Sequence, residues 1–391
     1  MYDVELLKDA PDGASRLNVV LPALGRDMAF GGVASALELA RNLSAHYAVC
    51  RFISLFEEET SVAPPAAPEQ RQGRFAHLEN SAGRTELFFA ASGERLPCHE
   101  KDLFLITYHA GFSFWEKLHK ARSGLGLAPL PFYYFIQDWE PGFAPFGQKH
   151  ALALKSYSFG DLTRAVINSA ELAEHIKANG CRFSEEYLLK PSMNRDMAAF
   201  LRQSAFMLPA KEGERMILLF YGRPGLPRNC FEVGVETLKL FFAGLPRAGR
   251  DKFAALSVGL PHEDIPLADG ALLKSLGRLP IEEYIALLLK AHVGLSLMIS
   301  PHPSYPPMEM ALFGLATVTT DYGAKKMQGV HPLLASARWP EPEELLGLLR
   351  RAVITASKLK NRAQRAVLPA SMSGLDWAEN FASLRIRPIV P

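Results

Sequence analysis

The residues of this sequence best suited to chemistry are a glycine and two arginines in FYGRPGLPRN (220–229), directly after an apolar run. Gly222 lets a backbone come close to a ligand. Arg223 and Arg228 stay charged and grip phosphate oxygens in a bidentate way, so the set suits a diphosphate. The bland alternative is a pair of exposed arginines on a loop. Lys274, in LLKSLGRLP (272–280), is expected near the end of a further strand, where it would add positive charge to the same phosphates. Gly277 and Leu279 follow, with backbone groups that can hydrogen-bond a nucleobase.

SLMISPHPSYPPMEMALFG (296–314) is the most informative segment. A strand ends in a loop carrying His302, Ser304 and Tyr305, and a helix is expected over 306–314 with Glu309 in its first turn. Four prolines within residues 301–307 restrict the loop and lower the entropy lost when its polar groups are presented. A carboxylate there can accept hydrogen bonds from ribose hydroxyls; otherwise it only complements the helix dipole.

The first half offers a second set. His109 follows the run DLFLITY (102–108), and Asp138 and Glu140 follow FYYFIQ (132–137). A histidine and two carboxylates at one rim can do general acid–base work. Asp138-Trp139-Glu140 also resembles an Asp-x-Asp metal site, although no ordered donor loop is evident beside it. Gly31-Gly32 opens a helix whose free N–H groups can receive an anion, or marks a plain tight turn. Neither the dinucleotide G-x-G-x-x-G nor the P-loop pattern is present there.

These residues need sheets to hold them. Nearly continuous apolar runs at 17–24, 49–55, 102–108, 132–137 and 164–169 alternate with helical spacing, as in a parallel sheet covered on both faces. The pattern restarts with strands at 215–222, 253–259, 272–277, 293–299 and 316–320 and helices at 231–245, 281–291 and 341–357. Segment 56–82 reads as a long loop. Segment 185–213, without a clear strand, reads as the linker between two domains, 1–205 and 206–372. In two doubly wound α/β domains, ligands sit beyond the carboxyl ends of the strands, where every residue above falls.

The bulk composition narrows the function. The chain has 391 residues, 48% of them hydrophobic, and 43 basic against 41 acidic side chains, a balance that does not argue for nucleic acid as the main partner, although net charge does not report a basic patch on one face. Four scattered cysteines with no C-x-x-C pair exclude a zinc ribbon and suit a reducing compartment. The first residues lack the apolar core of a signal peptide, and no run approaches the roughly 18 apolar residues of a spanning helix. A cytoplasmic protein, at most peripheral at the inner face of the membrane, is expected.

Together, FGGVASALELARNL, FIQDWEPGF, FYGRPGLPRNCFEVGVETLKL, LKSLGRL and SLMISPHPSYPPMEMALFG resemble the WsaF-like rhamnosyltransferases of glycosyltransferase family 4. The resemblance covers about residues 16–325. It implies the GT-B fold: two Rossmann-like domains facing each other across a cleft, with a C-terminal helix (375–388) packing back on the first. It further implies a retaining, metal-independent transfer from a dTDP-rhamnose donor, with no cofactor, to a growing cell-surface glycan, free or lipid-linked. Arg223, Arg228 and Lys274 then fall at the diphosphate and Glu309 at the ribose, with the acceptor near Gly31, Gly32, His109 and Asp138. Many family members carry two glutamates separated by seven residues; here the first position falls at Pro301-His302. The alternatives are a nucleotide-sugar epimerase of the same fold, which needs no acceptor, and a catalytically inactive glycan-binding module.

Overall fold

The computed structural model describes residues 3–7, 15–23, 32–56, 84–90, 93–369, 371–372 and 376–390. Gly31 and nearly all of segment 56–82 lie outside the described residues. The chain forms two compact units, Met1–Leu189 together with Trp377–Pro391, and Lys190–Asp376.

In the first unit, a short pair, β1 (Val4–Leu6) and β5 (Leu96–Cys98), accompanies a seven-stranded sheet. The sheet's strands are β2 (Arg16–Leu21), β3 (Val49–Ser54), β4 (Arg84–Phe89), β6 (Leu103–Ile106), β7 (Phe132–Ile136), β8 (Thr163–Ile167) and β9 (Glu185–Leu188). Their order is β4-β3-β2-β6-β7-β8-β9, and every pairing is parallel. β7 shows why its run is unbroken: Tyr133 and Phe135 enter the core on one face, and Phe132, Tyr134 and Ile136 enter the core on the other. The order reverses between β2 and β6, which makes their carboxyl ends the place for a ligand.

The C-terminal segment completes this unit. The helix Trp377–Ser383 buries Phe381 against Phe135, with ring centroids 5.7 Å apart. Beyond it, the Ile389 amide donates to the Tyr133 hydroxyl at 2.7 Å and to the Tyr47 hydroxyl at 3.1 Å.

In the second unit, β10 (Met207–Leu208) pairs antiparallel with β18 (Gln364–Arg365). The main sheet holds β11 (Met216–Gly222), β12 (Phe253–Gly259), β13 (Ile265–Ala268), β14 (Ala271–Ser275), β15 (Val293–Leu295), β16 (Ala316–Thr320) and β17 (Leu334–Ala337). Its order is β13-β14-β12-β11-β15-β16-β17, parallel except for β13 against β14. The switch point lies between β11 and β15.

The expected linker over 185–213 is corrected. Its first part is β9, the edge strand of the first sheet, and Arg195–Gln203 is a helix capped by the Asn194 side chain. That helix buries Met197, Ala198 and Leu201 in the core shared with Leu288 and Phe313, so it is part of the second unit. The division therefore falls at Leu189/Lys190, ahead of the expected 205/206. Among the described residues, no helix is long and apolar enough to cross a membrane.

Candidate active site

In the second unit, β11 carries Tyr221 and Gly222 to the switch point, where the chain turns through Arg223. Backbone bonds tie the neighbouring strand ends together: Leu260 N–H donates to Gly222 O (2.9 Å) and Gly259 N–H to Gly277 O (3.0 Å). Gly259 has φ +128°, and a Cβ there would lie 2.4 Å from Gly222 O and 3.2 Å from Arg223 Cγ. The missing side chain lets Arg223 lie across the end of β12. Arg228 sits in a 3-10 turn ahead of the helix Phe231–Ala243, and its carbonyl accepts from Ile299 N–H at 2.7 Å. That bond links the arginine loop to the segment after β15.

The side chains converge electrostatically on one phenol. Burial raises the pKa of Tyr221; Arg223 lowers it, Glu309 raises it, and Arg278 and Arg228 lower it. Three guanidinium groups and one carboxyl group therefore act on the same point. Lys274 does not join them. It lies within β14, opposite Leu256, exposed to solvent, and makes no ion pair or hydrogen bond among the described residues. The alternation along β14 directs Leu273 to the core and Lys274 outward, and Arg278, exposed like Lys274, is a further cation whose charge acts on Tyr221.

The helix after the proline loop is Tyr305–Leu312, with Pro306 and Pro307 in its first turn, where the missing N–H groups cost little. Glu309 is the fifth residue of this helix, one residue further in than expected and just past its first turn, where the dipole effect has fallen off. Tyr284, from the helix Ile281–Lys290, donates to Glu309 Oε2 at 3.4 Å. Burial pushes the Glu309 carboxyl up to about 7. Beneath the loop, buried Lys325 donates to Met298 O at 2.6 Å. His302 is buried, its Nδ1 accepts from Ser304 N–H (3.1 Å), and its ring centroid lies 5.2 Å from that of Tyr305. Burial first, and the Lys325 charge second, push His302 down to about 3. Ser304, with φ +70°, holds a backbone conformation that L-residues rarely adopt.

In the first unit, Thr107 anchors the end of β6 to β2, its N–H (3.2 Å) and Oγ1 (2.8 Å) both donating to Val20 O. His109 follows at the switch point. Glu140 Oε2 accepts the His109 backbone N–H at 2.6 Å and lies 2.7 Å from His109 Nδ1. Burial raises the Glu140 pKa and the bonds to His109 oppose the rise. Asp138 Oδ1 accepts its neighbour Trp139 N–H (2.8 Å), and its charge raises the pKa of Glu140 and, against the larger lowering by burial, that of His175. Gly32 begins the helix Gly32–Ser44, and a Cβ there would meet Gln137 Oε1 at 2.6 Å. Ser35 Oγ donates to that same Oε1 at 3.1 Å. Among the described residues, no group of three or more His, Cys, Asp or Glu side chains is placed to share a metal ion.

Arg278, Tyr284, Lys325 and Gln137 escaped the reading of the sequence. Only Arg278 carried a signal: it directly follows a glycine at a strand end, the same pattern as Gly222-Arg223.

Comparison with known proteins agrees with this architecture. The family model described as the N-terminal domain of WsaF matches residues 16–170, and that of the WsaF C-terminal domain matches residues 216–350. The O-antigen biosynthesis protein RfbC of Myxococcus xanthus is 32% identical over 252 residues, 64% of this chain. The match spans only 18% of that relative's length. Among solved structures, sucrose-phosphate synthase from Thermosynechococcus elongatus aligns over 95% of this chain and 94% of its own, with a TM-score of 0.50 and 13% identity. An E. coli trehalose-6-phosphate protein bound with UDP-2-fluoro glucose aligns over 95% of this chain and 100% of its own, with a TM-score of 0.51 and 11% identity. At such identities the likeness speaks for the fold alone. Two Rossmann-like units, each matched by one half of the same family, make this chain a member of the WsaF family, with the GT-B fold of glycosyltransferases.

Proposed function

We propose that this chain is a retaining glycosyltransferase that moves L-rhamnose, or a related deoxysugar, from a dTDP-sugar to a hydroxyl of a growing cell-surface glycan. The observation that carries the proposal is the placement of Arg223 and Arg228 just past the carboxyl end of β11, at the switch point of the second sheet, with the Ile299 N–H bond to Arg228 O tying that loop to the segment that leads to Glu309. Family membership and a relative named for O-antigen biosynthesis support the same reading.

In this account the arginines hold the diphosphate and stabilise the charge that grows on it as it leaves, an electrostatic role that commonly dominates catalysis. Glu309 accepts from the ribose. Gly222, Gly277 and Leu279 line the nucleotide, and His302, Ser304 and Tyr305 shape the loop against the sugar. The bond from the anomeric carbon to the leaving phosphate breaks while the acceptor oxygen bonds to the same face. The acceptor proton passes to a phosphate oxygen. His109, held by Glu140, orients the acceptor hydroxyl, and Gly32 and Asp138 border it. The reaction needs no cofactor or metal, and the acceptor, free or lipid-linked, is met in the cytoplasm or at the inner membrane face.

A thermal-shift screen against a panel of nucleotide sugars tests the donor, because a ligand bound only by the native state raises apparent stability. The expected result is a larger shift with dTDP-rhamnose than with UDP-glucose or GDP-mannose. A larger shift with either of the others would discard the deoxysugar assignment.

A further inference from the structure

Glu309 offers its two carboxyl oxygens unequally. Oε2 accepts the Tyr284 phenol at 3.4 Å, whereas Oε1 has no hydrogen-bond partner among the described residues. Tyr284 is fixed for this purpose. It lies in the first turn of the helix Ile281–Lys290, which starts directly behind Gly277, Arg278 and Leu279, and its N–H donates to Pro280 O at 2.9 Å. The Glu309 charge also acts on Tyr221, as the charges of Arg223, Arg278 and Arg228 do.

A ribose presents two adjacent hydroxyls, O2′ and O3′, and a carboxylate with two open oxygens takes both. A 2′-deoxyribose presents only O3′. We propose that Tyr284 is a specificity-determining residue that occupies Glu309 Oε2, leaving one open oxygen and matching the site to a nucleotide with a single ribose hydroxyl. The proposal rests on the nucleotide reading above. It assigns the choice between deoxyribo- and ribonucleotides to one phenol on a neighbouring helix, acting through Glu309. A ribonucleotide entering the site must either displace the Tyr284 bond or leave its 2′-hydroxyl unmatched, and each costs about one hydrogen bond, on the order of 1 kcal/mol.

Isothermal titration of the full chain with UDP, dUDP and dTDP tests this, because UDP and dUDP differ only at the 2′ position. The wild type is expected to bind dUDP at least as tightly as UDP. Tyr284→Phe keeps the ring and frees Oε2, and is expected to shift the ratio of the two Kd values toward UDP by about fivefold, the equivalent of that one bond. A general loosening of the fold would weaken both nucleotides alike and leave the ratio where it was. A wild type that prefers UDP, or an unchanged ratio in Tyr284→Phe, overturns the proposal while leaving the nucleotide site standing. Failure of all three nucleotides to bind the wild type overturns the nucleotide reading together with it.

Discussion

Glu140 holds His109 at two points: one carboxylate oxygen, Oε2, accepts the histidine's backbone N–H at 2.6 Å and lies 2.7 Å from its Nδ1. When Nδ1–H donates to that oxygen, Nε2 keeps its lone pair, and ring orientation and tautomer are set together. A carboxylate in this position acts through the histidine.

The first prediction follows from that contact. His109→Ala is expected to lower kcat by about 100-fold or more, the usual scale for loss of a positioned acid–base group. Glu140→Gln keeps the shape but weakens the hold on the ring, and is expected to lower kcat by about tenfold or more, with the KM for the donor unchanged. Steady-state kinetics with saturating acceptor separates the two terms. An unaltered kcat in both variants would remove this pair from the reaction.

The second prediction separates two cations that look equivalent in the sequence. Arg278→Ala is expected to weaken dTDP binding by about tenfold, because it deletes a charge-assisted contact of roughly 1.5 kcal/mol. Lys274→Ala, on the exposed side of β14, is expected to change it by less than about twofold, as surface charges commonly do. Calorimetry on the two variants side by side decides the assignment.

The third prediction concerns acid. His302 has a folded pKa of about 3, well below the ordinary 6.5, because burial and then Lys325 disfavour its charged form. An unfolded chain would take up that proton first, so the contribution of neutral His302 is complete above about pH 6.5 and is lost as pH falls toward 3. Chemical denaturation between pH 7 and 4 should therefore show a steeper loss of stability in the wild type than in His302→Asn, which keeps an acceptor for Ser304 N–H. Parallel pH curves would contradict this.

The fourth prediction tests the backbone frame of the arginine loop. Gly259→Ala would place a methyl group 2.4 Å from Gly222 O at φ +128°, and is expected to cost about 2 kcal/mol or more. Gly270→Ala is the control, with φ +74° and nothing within 4 Å, and is expected to cost only about 1 kcal/mol. Urea denaturation of both variants gives the comparison.

Much of the fold was legible because buried parallel strands are written as apolar runs: β3, β6, β7, β11, β12, β15 and β16 lie within such runs, and β2 and β8 begin one residue ahead of theirs. Edge strands escaped for the converse reason. β9 reads Glu-Glu-Tyr-Leu and β13 carries Pro266, so neither resembles a buried strand. The helix Arg195–Gln203 was hidden by its charged surface, with Met197, Ala198 and Leu201 buried and Phe200 packed beside them. At the site, residues adjacent to strand ends were legible by position. Partnerships were not: nothing in the spacing of His109 and Glu140, or of Tyr284 and Glu309, tells that their side chains meet. Side-chain direction along a strand was not legible either: in β14 Leu273 turns to the core and Lys274 outward, since one step along a strand reverses the direction of a side chain.

Titration of dTDP into the wild type and into Arg223→Ala and Arg228→Ala tests the central claim, a diphosphate site at the carboxyl end of β11. The account predicts saturable binding to the wild type and affinities lowered by about tenfold or more in each variant, with melting temperatures preserved. Equal affinities in all three proteins, or no binding to the wild type, would contradict it.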